Sequence, residues 1–412
     1  MRRALISALF AATSAVAPNS ASAAPEDPGT PTIVVTEERI RDYRDRLAEC
    51  VARDCPTNED ADASLALAET LFLEGDYHES RDVLRASLRR NADNAGNFPE
   101  PVSDLYRAHA RLSRHMGHVN DTRRSTYGIL SALKEGLPEE DYRHFTARFE
   151  IAEHLIQSGN IIGARRELTR LEEVAREAGR DDVVALAEIR GQWFDYIAAI
   201  NGESGNDPKD VKLRLLRMTR LTEPPQRMLE TGARILLSRI YRSEGDDTRA
   251  DALLAEIGQG NARTGGPRRL LFSPAYELQV QQIPPMQGAA SLAELISFGG
   301  GYAEQSDNFE NTWIDVGFWV MPDGGVTGLE ILRRGAGPGW ADPLLESIRG
   351  RRYSPAAEAS YRLERYSYTA DLERVLRSHI PQRSSRARVE YLDLTTGETP
   401  GAPPGTDGSA DG

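Results

Sequence analysis

The first two thirds of the chain repeat one pattern of apolar and polar positions, punctuated by regularly spaced glycines. The glycines are Gly75, Gly117, Gly159, Gly202 and Gly245, which lie 42, 42, 43 and 43 residues apart. Each ends one apolar helical pattern and opens a second. The third unit shows the one-sided spacing of an amphipathic helix pair, with apolar or small residues at Ile151, Ala152, Leu155, Ile161, Ala164, Leu168 and Leu171. The pattern predicts helix pairs whose glycine adopts the left-handed conformation that stops the first helix.

These units resemble the tetratricopeptide repeat (TPR). The order of large and small positions matches at Leu67-Ala68, Leu71, Gly75, Tyr77, Ser80 and Leu84, and again at Leu237-Ser238, Tyr241, Gly245, Ala250 and Leu254. The resemblance covers residues 36–260, although the period exceeds the family's usual 34 residues. It implies an α-solenoid with a concave groove that receives a peptide or another protein, and we expect Tyr241 near that groove. The alternative is that the stack is only a spacer.

Beyond the repeats the pattern changes from helical periodicity to strand alternation. Residues Gly258 to Pro267 have the composition of a linker. Strands are predicted at Leu270–Val280, Thr312–Met321 and Val326–Leu332, with a turn at 322–325. A short helix at Trp340–Arg349, an extended segment at Arg352–Ser354 and a long final strand at Arg362–Glu373 follow. The predicted domains are therefore residues 36–260 and 268–395, with a disordered tail at 396–412.

The second unit resembles the TonB C-terminal domain. The resemblance rests on the hairpin Asp315–Thr327 with its Asp323-Gly324 turn, on the helix from Ala341 to Ile348, and on Tyr353-Ser354-Pro355. The expected fold class is thus multidomain α and α+β, a TPR-like α-solenoid followed by a small α+β domain with an antiparallel sheet.

The resemblance implies binding of a peptide as an added strand, with a TonB-dependent outer-membrane receptor as partner. The candidate partner-binding residues on the final strand are Leu363, Arg365, Tyr366 and Tyr368. Tyr366 and Tyr368 lie two apart and so share a sheet face, where they bind a partner or simply cover the sheet. The chain lacks the inner-membrane helix and proline-rich stretch of true energy transducers, so partner binding is expected without force transduction.

The first residues predict export to the periplasm. Arg2 and Arg3 precede an apolar run from Ala4 to Ala17, and Ala21-Ser22-Ala23 resembles a cleavage site, which predicts a signal peptide at 1–23. No transmembrane segment is expected in the mature chain. In an oxidising compartment Cys50 and Cys55 are candidates for a structural disulfide; free thiols or a redox pair are the alternatives.

The remaining chemistry is sparse. The formal net charge of −13 argues against nucleic acid. No nucleophile elbow, phosphate loop or H-E-x-x-H motif occurs. His115 and His118 are expected to be solvated loop residues rather than metal ligands, and we predict no catalytic residue, cofactor or metal. The expected function is a non-catalytic periplasmic protein-interaction protein; the alternative is an envelope scaffold that self-associates as a homodimer through the TonB-like domain.

Overall fold

The computed structural model describes residues 36–202, 207–221, 227–264, 268–276, 312–335, 338–374 and 381–395. In the described part of the chain, a leading helix precedes five helix pairs. They are α1 (Thr36–Ala52), α2 (Thr57–Glu74), α3 (Tyr77–Asn91), α4 (Pro99–His115), α5 (Val119–Gly136), α6 (Tyr142–Gln157), α7 (Ile161–Glu177), α8 (Asp181–Asn201), α9 (Pro208–Met218), α10 (Arg227–Ser243) and α11 (Asp247–Thr264). The protein is therefore mostly helical, with TPR-like helical repeats, as the spacing predicts.

The five periodic glycines are the turns inside the pairs. Their φ angles are 87°, 76°, 81°, 72° and 84° in chain order, a conformation that costs an L-residue about 1–2 kcal/mol. The glycine amide then satisfies carbonyls that the ending helix leaves free; the amide of Gly75, for example, donates to the Phe72 carbonyl over 3.0 Å. The predicted left-handed turns are confirmed.

The first helices of the pairs form an inner row. Contacts join α2 to α4, α6 to α8 and α8 to α10, whereas neither α4 and α6 nor the second helices make comparable contacts with one another in the described part of the chain. Elements that approach more closely lie on the inside of a curved stack. Five of the seven apolar positions predicted for the third unit are buried in one core that runs from α6 to α11, and Leu155 is partly buried against it. This core also holds Trp193, Phe194 and Tyr196.

The predicted linker at Gly258–Pro267 is wrong over most of its length, because α11 continues to Thr264. The turns of α11 that precede Gly258 are held in place, since Leu254 and Ile257 pack against Leu271 at the start of the C-terminal unit. Helix propagation from an anchored turn tolerates glycines that each cost about 1 kcal/mol.

The C-terminal unit is a small α+β structure built on an antiparallel sheet. Its strands are β1 (Leu270–Phe272), β2 (Trp313–Val320), β3 (Val326–Arg334), β4 (Arg352–Tyr353), β5 (Ser360–Arg374) and β6 (Pro381–Asp393), and its helix is α12 (Asp342–Arg349). In the described residues β3, β2, β5 and β6 form one sheet in that order, and β1 pairs separately with β4. The predicted hairpin, short helix and extended segment are confirmed.

The two faces of this sheet are covered by different parts of the chain. On one face Ile314, Val316 and Phe318 pack with Leu344 and Ile348 of α12. On the other face Trp313 joins a core made by α2, α3 and α4. Since strand residues alternate between faces, odd-numbered positions of β2 face the repeats and even-numbered ones face α12.

Two strand predictions are wrong. The first strand is only three residues long where it was expected to reach Val280, and residues 277–280 lie outside the described part of the chain. The strand at Arg362–Glu373 is β5, but it is not the last one, because β6 pairs along it in antiparallel register, for example Tyr366 with Tyr391. The predicted signal peptide at 1–23 and tail at 396–412 also lie outside the described residues. None of the described helices has the length and apolarity needed to cross a membrane.

Candidate interaction site

The sheet is fastened to the helix pairs through the carbonyl end of α2. Arg365 of β5 has no solvent exposure, and its guanidinium donates to the Leu73 carbonyl over 2.7 Å and to the Phe72 carbonyl. Its remaining donors reach the buried Asp315 carboxylate at 2.6 and 2.9 Å. A cation at the C-terminal end of a helix satisfies free carbonyls and complements the helix dipole. One side chain of the sheet therefore completes the capping of a repeat helix.

The same arrangement recurs at the end of α4. Arg383 of β6 donates to the Met116 carbonyl over 2.6 Å, and Arg388 donates to the Arg114 carbonyl over 3.0 Å. The backbone also takes part, since the Leu372 amide donates to the Gly117 carbonyl over 2.8 Å. Two successive turns of the repeats are thus held by arginines from two neighbouring strands.

Two of the five turn glycines, Gly75 and Gly117, lie directly against the sheet. A Cβ on Gly75 would lie 2.6 Å from the indole nitrogen of Trp313, and a Cβ on Gly117 would overlap the Ala370 carbonyl oxygen. At Gly159, Gly202 and Gly245 a Cβ would meet nothing within 4 Å among the described residues. Gly75 and Gly117 therefore serve both as turns and as close contacts, and the other three serve as turns.

A buried serine joins two pairs to the sheet. The Ser367 hydroxyl lies 3.1 Å from the Tyr77 hydroxyl of α3 and 2.9 Å from Nδ1 of His115 in α4. Burial lowers the pKa of His115 to about 3, so the ring is neutral at pH 7. The prediction that His115 is solvated is wrong, because β5 covers it; His118 is half-buried, and burial lowers its pKa to about 4.

An ion pair links β6 to α4 on the same face. Glu390 lies 2.9 Å from Nε of Arg114 and also pairs with Arg388. Burial acts to raise the pKa of Glu390, but Arg114 and Arg388 outweigh it and hold the pKa at about 2. The sheet and the repeats therefore share a buried charged layer.

The sequence-predicted binding residues of β5 take part in packing within the chain. Tyr366 and Tyr368 share the α12 face, as predicted. Tyr366 accepts from Arg351 over 2.8 Å, and Tyr368 stacks on Trp340 with 5.4 Å between ring centroids. Arg365 faces the repeats, and the Leu363 carbonyl accepts from the Leu394 amide over 2.8 Å.

The expectation that β5 offers a free edge is wrong, since β2 and β6 pair with it on either side. Within the described residues β3 is an edge strand, paired with β2 alone. Its solvent-facing residues include two large apolar ones, Ile331 at 37% and Leu332 at 45% exposure. An edge of this kind presents unpaired backbone groups to another chain.

The inner helix row forms a second accessible surface. Arg111 of α4 is exposed, and it projects away from His109, which contacts Ser125 of the paired helix over 2.8 Å. Residues two apart on a helix are about 200° apart around its axis, so Arg111 faces the inner side. Burial lowers the pKa of Arg190 of the next first helix, α8, and Glu153 of α6 lies close enough to that arginine for its charge to oppose the shift. Tyr142 of α6 is 56% exposed and lies three turns before Glu153, on the same side of that helix.

The remaining predicted residues are structural in this fold. Tyr241 is buried in the core of the repeats with the Lys212 ammonium 4.2 Å from its ring centroid, so the expectation that it faces an open groove is wrong. Cys50 and Cys55 are joined by a disulfide, with their Cα atoms 5.1 Å apart, which ties the end of α1 to the start of α2.

A cavity of about 210 Å³ lies where the turn after α6 meets β6. Its lining includes Ser158 and Ser273, whose hydroxyls are engaged with the Leu155 carbonyl and the Ser347 hydroxyl respectively. Neither of these contacts is with a base, and the Arg388 that lines the cavity is paired with Asp371 and Glu390. Arg388, Asp371 and Glu390 therefore form a charge-paired junction along this cavity.

No family model matches the chain. The curated proteins likewise contain no match. Among solved structures the chain is similar to BtubC (BKLC) from P. vanneervenii, with 18% identity, a TM-score of 0.39, and coverage of 63% of this chain and 98% of that one. It is also similar to two structures of the TPR-like repeats of a putative kinesin light chain from Podosopora anserina. The first, a single-substitution variant, has 15% identity and a TM-score of 0.36, with coverage of 50% of this chain and 95% of that one. The second has 15% identity and a TM-score of 0.35, with coverage of 50% of this chain and 97% of that one. At these TM-scores the likeness carries no argument about function.

Proposed function

We propose that the chain is a non-catalytic protein-interaction protein of the periplasm, in which the helix pairs and the edge strand β3 bind polypeptide partners. The observation that carries the proposal is the inner helix row. It leaves charged and aromatic side chains such as Arg111 and Tyr142 accessible on the concave side of a repeat stack. Curved helical repeats use such surfaces to hold extended chains.

The C-terminal unit, whose order of elements resembles the TonB C-terminal domain, contributes the second surface. Because β5 has no free edge, a partner strand would add to the edge strand β3 instead. There the partner's backbone would pair with β3, and Ile331 and Leu332 would supply side-chain contacts. A TonB-dependent outer-membrane receptor segment is the proposed ligand of this edge.

Site-specific photo-crosslinking in cells tests the proposal, with the crosslinker placed at Tyr142 on the inner row and at Leu332 on β3. Ile162 of α7 is the matched control, because it is 55% exposed but lies on a second helix. We expect crosslinks to a polypeptide from Tyr142 and Leu332 and none from Ile162. The proposal is abandoned if all three positions behave alike.

The exposed apolar residues of β3 also favour a second function, a scaffold that self-associates by pairing β3 with β3 of another copy. Self-crosslinks from Leu332, together with a dimer mass by light scattering that Ile331→Lys abolishes, would select this function. A monomer mass for the wild-type chain would exclude it.

A further inference from the structure

The inner helix row carries three arginines that make no direct ion pair in the described part of the chain, although the charges of Glu150 and Glu153 act on Arg111 and Arg190 respectively. They are Arg111 of α4, Arg190 of α8 and Arg239 of α10, and among the described residues none of the three lies within ion-pair distance of a carboxylate. The chain as a whole is acidic, at a formal net charge of −13. Unpaired cations gathered on one surface of an acidic protein are a local feature that needs a physical explanation.

All three arginines project to the inner side by the same reasoning from helix geometry. Arg190 is two residues before Gln192, which accepts from Arg214 of the paired helix α9 over 2.9 Å. Arg239 is two residues after Leu237, which is fully buried in the core of the repeats. A two-residue step turns a side chain about 200° around the helix, away from those contacts and toward the concave face.

The carboxylates of the same face are already engaged. Glu150 pairs with Arg107 over 2.8 Å, and Asp104 pairs with the same arginine over 2.5 Å. Glu153 accepts from Gln157 over 3.1 Å. Together with Arg107, the residues named on this face are four arginines and three carboxylates, so a surplus of one positive charge remains.

Arg190 and Arg239 are half-buried, whereas Arg111 is exposed. Burial lowers the pKa of Arg239 to about 10, and it also lowers the pKa of Arg190 against the opposing effect of the Glu153 charge. The Arg190 guanidinium rests 4.7 Å from the centroid of the Phe149 ring, which fixes its position. A partly desolvated guanidinium gains more from a carboxylate than a fully hydrated one does.

We propose that the inner face of the helix pairs binds an extended acidic polypeptide segment, whose carboxylates pair with Arg111, Arg190 and Arg239. This rests on the proposed function and names the chemistry of its ligand. The contact between α8 and α10 puts these two helices about 10 Å apart. An extended chain advances about 3.3 Å per residue, so carboxylates about three residues apart match Arg190 and Arg239, and a third carboxylate nearer the other end of the segment is available to Arg111.

Fluorescence anisotropy with the full chain tests this ligand class. The probe is a labelled decamer of Ser and Gly with Glu at its first, seventh and tenth positions, and its matched control carries Gln at those positions. We expect the Glu decamer to bind at least about tenfold more tightly than the Gln decamer. The Arg111→Gln and Arg239→Gln variants should each weaken binding about three- to tenfold, and raising the salt to about 300 mM should weaken it further.

Arg170→Gln is the matched charge control, since Arg170 is exposed on the second helix α7. It should bind the Glu decamer like the wild type. Equal binding of the Gln decamer, equal weakening by Arg170→Gln, or no binding of the Glu decamer would each overturn the inference. If the decamer does not bind but Tyr142 still crosslinks a polypeptide, the acidic ligand class fails and the proposed function stands; if Tyr142 crosslinks nothing, both fail.

Discussion

Gly117→Ala should loosen the sheet from the repeats, and Gly159→Ala should not. The two glycines occupy equivalent turns with φ angles of 76° and 81°, so alanine costs each about 1–2 kcal/mol of backbone strain. Only at Gly117 does the new methyl group overlap the sheet, at the Ala370 carbonyl, and it would also lie 2.7 Å from a guanidinium nitrogen of Arg383. The difference between the variants therefore isolates the contact with the sheet.

The magnitude of that difference follows from the contacts that must move. Gly117→Ala separates the Leu372 amide from the Gly117 carbonyl, a hydrogen bond of 2.8 Å that is worth about 1 kcal/mol. Overpacking at a buried backbone contact adds about 1–3 kcal/mol. We expect Gly117→Ala to destabilise the docked sheet by about 2–4 kcal/mol more than Gly159→Ala does.

Hydrogen exchange followed by mass spectrometry is the assay, because it reports local opening free energies. In Gly117→Ala, peptides covering residues 365–374 and 113–122 should exchange faster by about one to three orders of magnitude. In Gly159→Ala, faster exchange should be confined to peptides around residues 154–164. The reasoning is refuted if Gly117→Ala leaves the β5 peptides at the wild-type rate, or if both variants accelerate β5 equally.

Three further predictions address the buried charges and the disulfide. Arg365→Met should lower the free energy of unfolding, measured by urea titration, by about 3 kcal/mol. The variant removes the fully buried partner of Asp315 and leaves that carboxylate with the more exposed Arg333. A loss below about 1 kcal/mol would contradict this prediction. His115 has a pKa of about 3 in the folded chain, against an ordinary value of 6.5, so between these pH values only the unfolded chain binds the proton. The free energy of unfolding should therefore fall by about 1.4 kcal/mol per pH unit from pH 6.5 toward 3. A His115→Gln variant should show a shallower pH dependence of stability, and an unchanged slope would refute the assignment. Reducing the Cys50–Cys55 disulfide should lower the free energy of unfolding by about 2 kcal/mol, and hydrogen exchange should become faster only in α1 and the start of α2. Faster exchange in β5 would be inconsistent with a local role of the disulfide.

The strands show where sequence pattern suffices and where it does not. The hairpin of β2 and β3 is specified locally, because Pro322-Asp323-Gly324-Gly325 sets the turn between two apolar runs. The segment that forms β6 also alternates between apolar and polar residues, with Ala387, Val389 and Tyr391 on the α12 side. This alternation by itself predicts a strand after β5. Without β6, β5 reads as an edge strand, and its residues then read as a binding surface.

Local sequence specifies the helix pairs, their turns and the hairpin of β2 and β3. These depend on near neighbours in the chain, namely the 42- to 43-residue spacing of glycines and the apolar face of each helix. The interior positions of Arg365, Ser367 and His115, in contrast, follow from tertiary contacts alone. Each is polar, so local pattern assigns it to solvent. Their burial depends on partners about 250 to 290 residues away, the Leu73 carbonyl for Arg365 and the Ser367 hydroxyl for His115. Long-range pairing of polar groups leaves no periodic trace in a sequence, because its energy comes from hydrogen bonds that exist only after the two units have met.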